Sequence, residues 1–159
     1  MPEYTIYISG DHRGFEDRKE LVPLLENCHP FVRVEDLGPS ELNPEDDFND
    51  SALAVSRAVL SNEHSFGVLI CGSAHGVCMQ ANRIKGIRAI SALTPESAVS
   101  GREDDYANIV CLSGDMLNAE EMEKIVKAFC HARPKTEEKY LRRVQRLDDD
   151  SAWLKSGDK

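Results

Sequence analysis

The chain alternates short, β-branched apolar runs with longer amphipathic stretches, and this alternation limits its possible folds more than any other feature. Five runs have the length and composition of strands: residues 5–9, 31–37, 66–71, 87–93 and 108–114. The stretches between them have helical spacing, except for the polar segment GPSELNPEDD, which predicts a loop. Strands that alternate with helices form parallel sheets, so the sequence predicts an α/β fold with helices on both faces.

Local signals predict where several helices begin. Thr94 can cap a helix whose first turn contains Pro95, and a second helix is predicted to open near Asn118. Residues 48–61 have a helical pattern, and a short helix is predicted after Gly76.

Length and charge narrow the class of protein. With 159 residues, the chain is predicted to be one domain, of which residues 155–159 are a frayed tail. Its 19 Lys and Arg residues against 28 Asp and Glu residues give a net charge of -9, which disfavours nucleic acid and anionic membranes as partners. The five cysteines are scattered without a C-x-x-C pair, which favours a reducing, cytoplasmic setting without disulfides or a metal site.

Polar loops beyond the strands are the candidate functional segments, because ligands bind at the carboxyl ends of parallel strands. Three segments are predicted to meet there: GDHRGF after the first strand, CGSAHG after the third strand, and GREDDYAN after the fourth helix. The third segment on its own has the composition of a solvated helix end, so its sequence alone does not assign it a function.

The CGSAHG loop is the most informative of the three. Gly72 and Gly76 permit a tight turn, Ser73 adds a hydroxyl group, and successive amides can stabilise a developing oxyanion. Cys71 at its lip is either a reactive thiolate that moves a proton or a small core residue at the end of a strand. The same two interpretations, functional or not, apply to His75, since a histidine in such a loop can point to solvent.

The segment after the first strand offers a second candidate pair. Asp11 can accept hydrogen bonds from sugar hydroxyls, and His12 can meet an anion. A turn-forming aspartate beside an exposed histidine explains the same two residues without any function.

The charged C-terminal segment, residues 136–154, predicts a helix with one apolar stripe that contains Leu141, Val144 and Leu147. No strand follows it. Such a helix docks either on its own domain or on a partner subunit.

Three segments taken together resemble the ribose-5-phosphate isomerase B and galactose-6-phosphate isomerase family: SGDHRGF, VLICGSAHGVCMQANRIKGIRA and KYLRRVQRL. The likeness extends from residue 6 to residue 147. It implies a three-layer α/β/α, Rossmann-like fold with a five-stranded parallel sheet. It also implies a homodimer or a dimer of dimers, with the C-terminal helix at the interface and the active sites built across it.

The resemblance implies an aldose-ketose isomerase that acts on a sugar or sugar phosphate without a metal or other cofactor. The cysteine that matches Cys71 carries a proton between C1 and C2 through an enediolate. The hydroxyl that matches Ser73, with amides around Gly72 and Gly76, holds the oxyanion. Asp11 matches an aspartate that binds sugar hydroxyls.

The remaining implied contacts lie elsewhere in the chain. His12 matches a histidine near the ring oxygen or the phosphate. Two basic positions of the family's final helix are Lys139 and Arg143 here.

The chain departs from the family pattern at three positions. Asp104 and Asp105 replace a His-Asn pair whose histidine opens the sugar ring, and Asp115 replaces an arginine that helps to bind phosphate. Three carboxylates at these positions are expected to repel a phosphate dianion. The sequence therefore predicts altered specificity, for a substrate that is open-chain, unphosphorylated or amine-bearing, unless Asp104 or His75 opens the ring.

The preferred hypothesis is thus an isomerase in which Cys71 is the base, Ser73 and loop amides form the anion hole, and Asp11, His12 and Asp104 contact substrate. The alternative is a degenerate, non-catalytic subunit that binds sugar or supports a catalytic partner. A nucleotide-binding domain is disfavoured, because no strand is followed by a G-x-G-x-x-G or Walker-type motif.

Overall fold

A computed structural model describes residues 4–153 of the chain, with side chains described for residues 4–149. The predicted tail, residues 155–159, lies outside the described residues. All strand pairs are parallel, in the order β2-β1-β3-β5-β4. The strands are Tyr4–Gly10 (β1), Val32–Asp36 (β2), Ser65–Cys71 (β3), Ala89–Ser91 (β4) and Ile109–Ser113 (β5). The predicted five-stranded parallel sheet is confirmed.

Helices cover both faces of the sheet and make three layers. They are Phe15–Glu26 (α1), Phe48–Ser61 (α2), His75–Ala81 (α3), Pro95–Asp105 (α4), Ala119–His131 (α5) and Glu138–Trp153 (α6). One apolar cluster joins the sheet to α1, α4 and α5, and the other joins it to α2 and α3. Strand β3 supplies both, since Val68 and Ile70 point into the first and Leu69 and Cys71 into the second.

The sequence signals for helix starts agree with the structure in two cases and miss by two residues in a third. The Thr94 side chain accepts a hydrogen bond from the backbone of Ser97, and Asn118 forms a capping box with Glu121. Helix α3, however, begins at His75 rather than after Gly76, which makes His75 a helical residue at the end of the loop.

Strand β4 is three residues long, shorter than the predicted run 87–93, and it lies at one edge of the sheet. The chain before it turns, because the N–H of Ile87 donates to Ile84 O. The side-chain amide of Asn82 then binds Ala89 twice, accepting from its N–H and donating to its carbonyl, each at 2.8 Å.

Helix α6 packs beside α4 and leaves its apolar stripe largely in solvent. Leu141 and Leu147 are 47% and 51% exposed in the single chain. The Nη1 atom of Arg88 lies 3.6 Å from Asp148 Oδ2 and ties the helix to the start of β4. Within residues 4–153, no helix combines the length and the apolar character needed to cross a bilayer.

One predicted placement is wrong. The segment 101–108 was expected beside the other two loops, but it ends α4 and leads into β5, at the amino edge of the sheet. Ile109 pairs with Gly67 and Ser113 with Cys71, so the length of β5 separates this segment from Cys71. Four residues of extended chain correspond to about 13 Å.

Candidate active site

Cys71 ends β3 at the carboxyl edge of the sheet, with 4% of its surface exposed. The turn after β5 holds the backbone around it: the N–H of Gly114 donates to Cys71 O at 2.9 Å, and the Ser113 hydroxyl donates to Gly72 O at 2.6 Å. The position of the thiol is therefore set by two neighbouring strands and the loop between β5 and α5.

The loop after Cys71 presents backbone donors at its lip. Ala74 lies in the left-handed region, with φ 68°, and the N–H of His75 donates to Ser73 Oγ at 3.3 Å. Among the described residues, no group accepts a hydrogen bond from the N–H of Ser73 or Ala74. These two donors lie two and three residues after Cys71, and free backbone N–H groups are the donors of which oxyanion holes are built.

Packing keeps this loop close to α2. A Cβ on Gly76 would lie 2.9 Å from two ring carbons of Phe48, so only glycine fits there without movement. Ser73 and His75 are exposed, whereas Gly72 is buried. The predicted residues of this loop are thus held in one turn, from which Ser73 and His75 reach the surface.

Asp11 is placed beside the end of β3 by the turn after β1. Its N–H donates to Ile70 O at 3.2 Å, and a Cβ on Gly14 would lie 2.6 Å from Ile70 Cγ2. The Asp11 carboxylate accepts a hydrogen bond from the N–H of Arg13 at 3.0 Å and is 6% exposed. Burial raises the pKa of Asp11 above its ordinary value, while the N–H of Arg13 lowers it in part.

His12 is oriented by a residue that the sequence reasoning missed. Its Nδ1 lies 2.7 Å from Asp46 Oδ1, and its backbone N–H donates to the same oxygen at 3.0 Å. With Nδ1 engaged, Nε2 is the ring nitrogen available to a ligand. The polar loop after β2 carried no motif beyond its composition, so nothing in the sequence singled out Asp46.

Asp115 also has a partner that the sequence did not indicate. Arg13 Nη2 donates to Asp115 Oδ2, although the two residues lie in different turns of the carboxyl edge. The charge of Asp115 is therefore balanced within the chain.

Asp104 and Asp105 are not brought together with Cys71 in the single chain. Asp104 Oδ1 lies 2.5 Å from the Nζ of Lys135, in the segment after α5, and this hydrogen bond raises the pKa of Lys135. Asp105 is exposed at the rim of a cavity of about 710 Å³ between the start of β4 and α6.

Lys139 and Arg143 lie one turn apart on α6 and flank the Tyr140 ring, with Lys139 Nζ 4.9 Å and Arg143 Cζ 5.9 Å from its centroid. Both are exposed. Like Asp104 and Asp105, they stand apart from Cys71 in one chain.

The other four cysteines are buried or partly buried at other positions in the fold. Burial raises the pKa of Cys28, Cys111 and Cys130, which keeps these thiols protonated. A hydrogen bond from Cys111 lowers the pKa of Cys78, but Cys78 Sγ faces Ala89 O at 3.4 Å, under β4. Only Cys71 adjoins the loop donors.

The carboxyl edge thus combines a thiol, loop amides, a buried carboxylate and an oriented imidazole. The described residues contain no group of three or more His, Cys, Asp or Glu side chains arranged to hold a metal ion. This arrangement can accept a proton from carbon and stabilise the resulting oxyanion, which is the chemistry of an enediolate isomerase.

Comparisons with known proteins agree with that class. The profile of the family described as Ribose/Galactose Isomerase matches residues 6–147. A probable ribose-5-phosphate isomerase B from Mycoplasma pneumoniae is 41% identical over 130 residues, which is 82% of this chain and 84% of the relative. A D-erythrulose-4-phosphate isomerase 2 from Mycolicibacterium smegmatis is 30% identical over 124 residues, 78% of this chain and 82% of that protein.

A solved structure shows the same fold over the whole length. Ribose-5-phosphate isomerase B from Mycoplasma genitalium, with bound ribulose-5-phosphate, superposes with a TM-score of 0.85 and 32% identity, covering 98% of this chain and 99% of that one. The chain belongs to the ribose/galactose isomerase family, and it is an isomerase. The resemblance found in the sequence is confirmed.

Proposed function

We propose that this chain interconverts the aldose and ketose forms of a sugar phosphate, with Cys71 as the base that moves the proton. The observation that carries the proposal is the position of the thiol, buried at the end of β3 and followed directly by the free N–H groups of Ser73 and Ala74. The named activities of the relatives in Mycoplasma pneumoniae and Mycolicibacterium smegmatis support the substrate class.

The reaction requires one mobile proton and a fixed anion hole. The Cys71 thiolate takes the proton from C2 of the aldose, the electron pair forms the C1=C2 bond, and O1 becomes negative. The N–H groups of Ser73 and Ala74 and the Ser73 hydroxyl stabilise that charge. The thiol then returns its proton to C1, and the O2 proton passes to O1, which yields the ketose.

Asp11 and His12 have the positions to orient the sugar. The buried carboxylate of Asp11 has one oxygen occupied by the N–H of Arg13, so its second oxygen can accept from a hydroxyl group. His12 presents Nε2 because Asp46 engages Nδ1. Glycine at positions 72 and 76 leaves room for Arg13 and Phe48 against the loop backbone.

The family's ring-opening histidine has no counterpart among these contacts. Asp104 is bound by Lys135, and His75, the other candidate, is exposed at the lip of the loop. We propose altered specificity, with preference for a four-carbon sugar phosphate. With its phosphate on O4, such a sugar cannot close a five-membered ring and needs no ring opening. The relative named for D-erythrulose-4-phosphate supports this choice.

Two of the three unexpected carboxylates do not act as free charges, since Asp115 is paired with Arg13 and Asp104 with Lys135. The expected repulsion of phosphate is correspondingly weaker than the sequence suggests. This favours a phosphorylated substrate over an unphosphorylated or amine-bearing one.

We propose that residues 1–159 form one domain and that the enzyme works in the cytoplasm as a homodimer or a dimer of dimers. The exposed stripe of α6, with Leu141 and Leu147, supports an interface at that helix. In this arrangement Asp105, Lys139 and Arg143 complete the partner's substrate site. The degenerate-subunit alternative is disfavoured, because the Cys71 loop is intact.

Replacing the base tests the proposal. We expect Cys71→Ala to lower kcat by at least about a thousandfold and to abolish exchange of solvent deuterium into C1 and C2 of bound sugar. Cys78→Ala is the matched control, because Cys78 lies beneath β4, and it should retain turnover. Unchanged exchange in Cys71→Ala would exclude this cysteine as the base.

Wild-type rates on two substrates test the specificity in the same assay. We expect ribose 5-phosphate to be isomerised about a hundredfold less efficiently than erythrulose 4-phosphate, since no imidazole opens its ring. Equal kcat/KM values would refute altered specificity and leave the role of Cys71 intact.

A further inference from the structure

Arg13 lies directly against the loop that follows Cys71. It follows His12 in the turn after β1, and its side chain is 52% exposed. A Cβ placed on Gly72 would lie 2.0 Å from Arg13 Cζ and 2.3 Å from both Nε and Nη1. The guanidinium group therefore rests on the backbone of Gly72, and glycine at that position leaves the space for it.

Asp115 holds the guanidinium in this place. Arg13 Nη2 donates to Asp115 Oδ2, and the N–H of Asp115 donates to Gly72 O at 3.0 Å. The N–H of the preceding residue, Gly114, donates a hydrogen bond to Cys71 O. Arg13, Gly72 and Asp115 thus form one hydrogen-bonded unit that adjoins the proposed base.

The ion pair itself adds little to folding. Both side chains are about half exposed, and exposed pairs contribute about 0.2–1 kcal/mol or less to stability. Within the guanidinium group of Arg13, only Nη2 donates to another described residue. Because Nη2 has two N–H groups, its second N–H and the donors on Nε and Nη1 are free for a ligand. A planar guanidinium fork matches the geometry of a phosphoryl group.

We propose that Arg13 binds the phosphoryl group of the substrate from within the same chain as Cys71, and that Asp115 positions it. This inference rests on the proposed function. In the turn after β5, Asp115 stands where the family pattern has an arginine. The cation comes instead from Arg13, in the turn after β1. The exchange keeps a guanidinium at the carboxyl edge and makes Arg13 a residue that selects for phosphorylated sugars.

The first measurement is binding of inorganic phosphate by calorimetry, in Cys71→Ala protein that does not turn over. We expect Arg13→Met to weaken phosphate binding by about tenfold or more, and Arg13→Lys to recover part of the loss, because lysine keeps the charge without the fork. Arg33→Met is the matched control, since Arg33 forms an exposed pair with Glu35 on β2. Unchanged phosphate affinity in Arg13→Met would overturn the inference.

The second measurement compares erythrulose 4-phosphate with unphosphorylated erythrulose. Arg13→Met should raise KM for the phosphate ester by about tenfold or more and lower its kcat/KM by about tenfold more than that of the free sugar. An equal loss on both substrates would contradict phosphate recognition and assign Arg13 to the reacting end. Because phosphate binding needs no turnover, absence of wild-type activity on both substrates would refute the proposed function, while the calorimetric comparison would still test this inference.

Discussion

Residues proposed for the substrate site lie in two regions: the carboxyl edge of the sheet, and the end of α4 together with α6. Only the residues of the carboxyl edge come together within one chain. Turns after β1, β3 and β5 meet because parallel strands end at the same edge, which brings Asp11, Cys71 and Asp115 together. Asp104 and Asp105 precede β5 and lie at the opposite edge. Residues that follow strands are thus brought together by the topology of the sheet. Under the proposed assembly, the residues that precede β5 belong to the site of another copy.

Subunit complementation tests whether the end of α4 and α6 serve the site of a partner. We expect the double variant Lys139→Ala with Arg143→Ala to lose about a hundredfold in kcat/KM, because it removes the two cations that we propose α6 contributes to the partner's site. Mixing it with Cys71→Ala under conditions that exchange subunits should restore about a quarter of wild-type activity, since half of the random dimers contain one intact site.

Two results make that experiment decisive. Arg142→Ala should remain active alone, because Arg142 pairs with Glu138 at 2.7 Å on the exposed surface of α6. If the mixture of the two inactive variants stays inactive although mixed dimers form, the end of α4 and α6 do not serve a partner's site.

Asp11→Asn tests a residue that lies at the carboxyl edge within one chain. Asparagine keeps the acceptor for the Arg13 N–H and loses the charge, so kcat/KM should fall by about tenfold or more. The fold, however, should melt at a higher temperature at pH 7. Burial raises the pKa of Asp11 in the folded state, so the charged form is disfavoured there relative to the unfolded chain.

The pH dependence of that gain has a defined sign. A raised pKa of a carboxyl group destabilises the fold above the folded-state pKa and has no effect below the unfolded value, about 3.9. The difference in melting temperature between Asp11→Asn and wild type should therefore vanish as the pH falls through about 4. A lower melting temperature for the variant at pH 7 would contradict this account of Asp11.

The smallest effect is expected from backbone strain at Ala74, in the loop that follows Cys71. Ala74→Gly and Ala81→Gly each remove one buried methyl group, but only Ala74 has a positive φ. Relief of the left-handed conformation should make Ala74→Gly less destabilising than Ala81→Gly by about 1–2 kcal/mol, measured by denaturant unfolding. Equal losses would show that the loop holds Ala74 without strain.

The strand-helix alternation was sufficient to predict the sheet, because buried parallel strands are continuous apolar runs that stand out in the sequence. Thr94 and Asn118 located two helix starts for a similarly local reason, since capping depends on neighbours within three residues. Strand β4 was predicted, but it begins later than the run 87–93. The N–H of Ile87 belongs to the turn at Ile84 and the N–H of Ala89 donates to the amide of Asn82, and neither contact is visible as periodicity.

The site was predictable where its chemistry is local and unpredictable where it depends on pairing across turns. The spacing of Cys71, Gly72 and Ser73 marks one loop. The Arg13–Asp115 contact joins residues 102 positions apart, so no local pattern contains it. Counting Asp115 as a free charge therefore overstated the negative potential, because charge in a folded site depends on partners and not on composition.

The double hydrogen bond of Asn82 to Ala89 protects one edge of the sheet from pairing with other molecules at high protein concentration. Strand β4 is an edge strand, and unpaired backbone groups of edge strands can form hydrogen bonds with strands of other molecules. At Ala89 both groups are already bound by a side chain that mimics a neighbouring strand. Removing that amide, as in Asn82→Ala, would expose the backbone groups of Ala89 at the edge of the sheet. Strands of other molecules can then pair with them and aggregate.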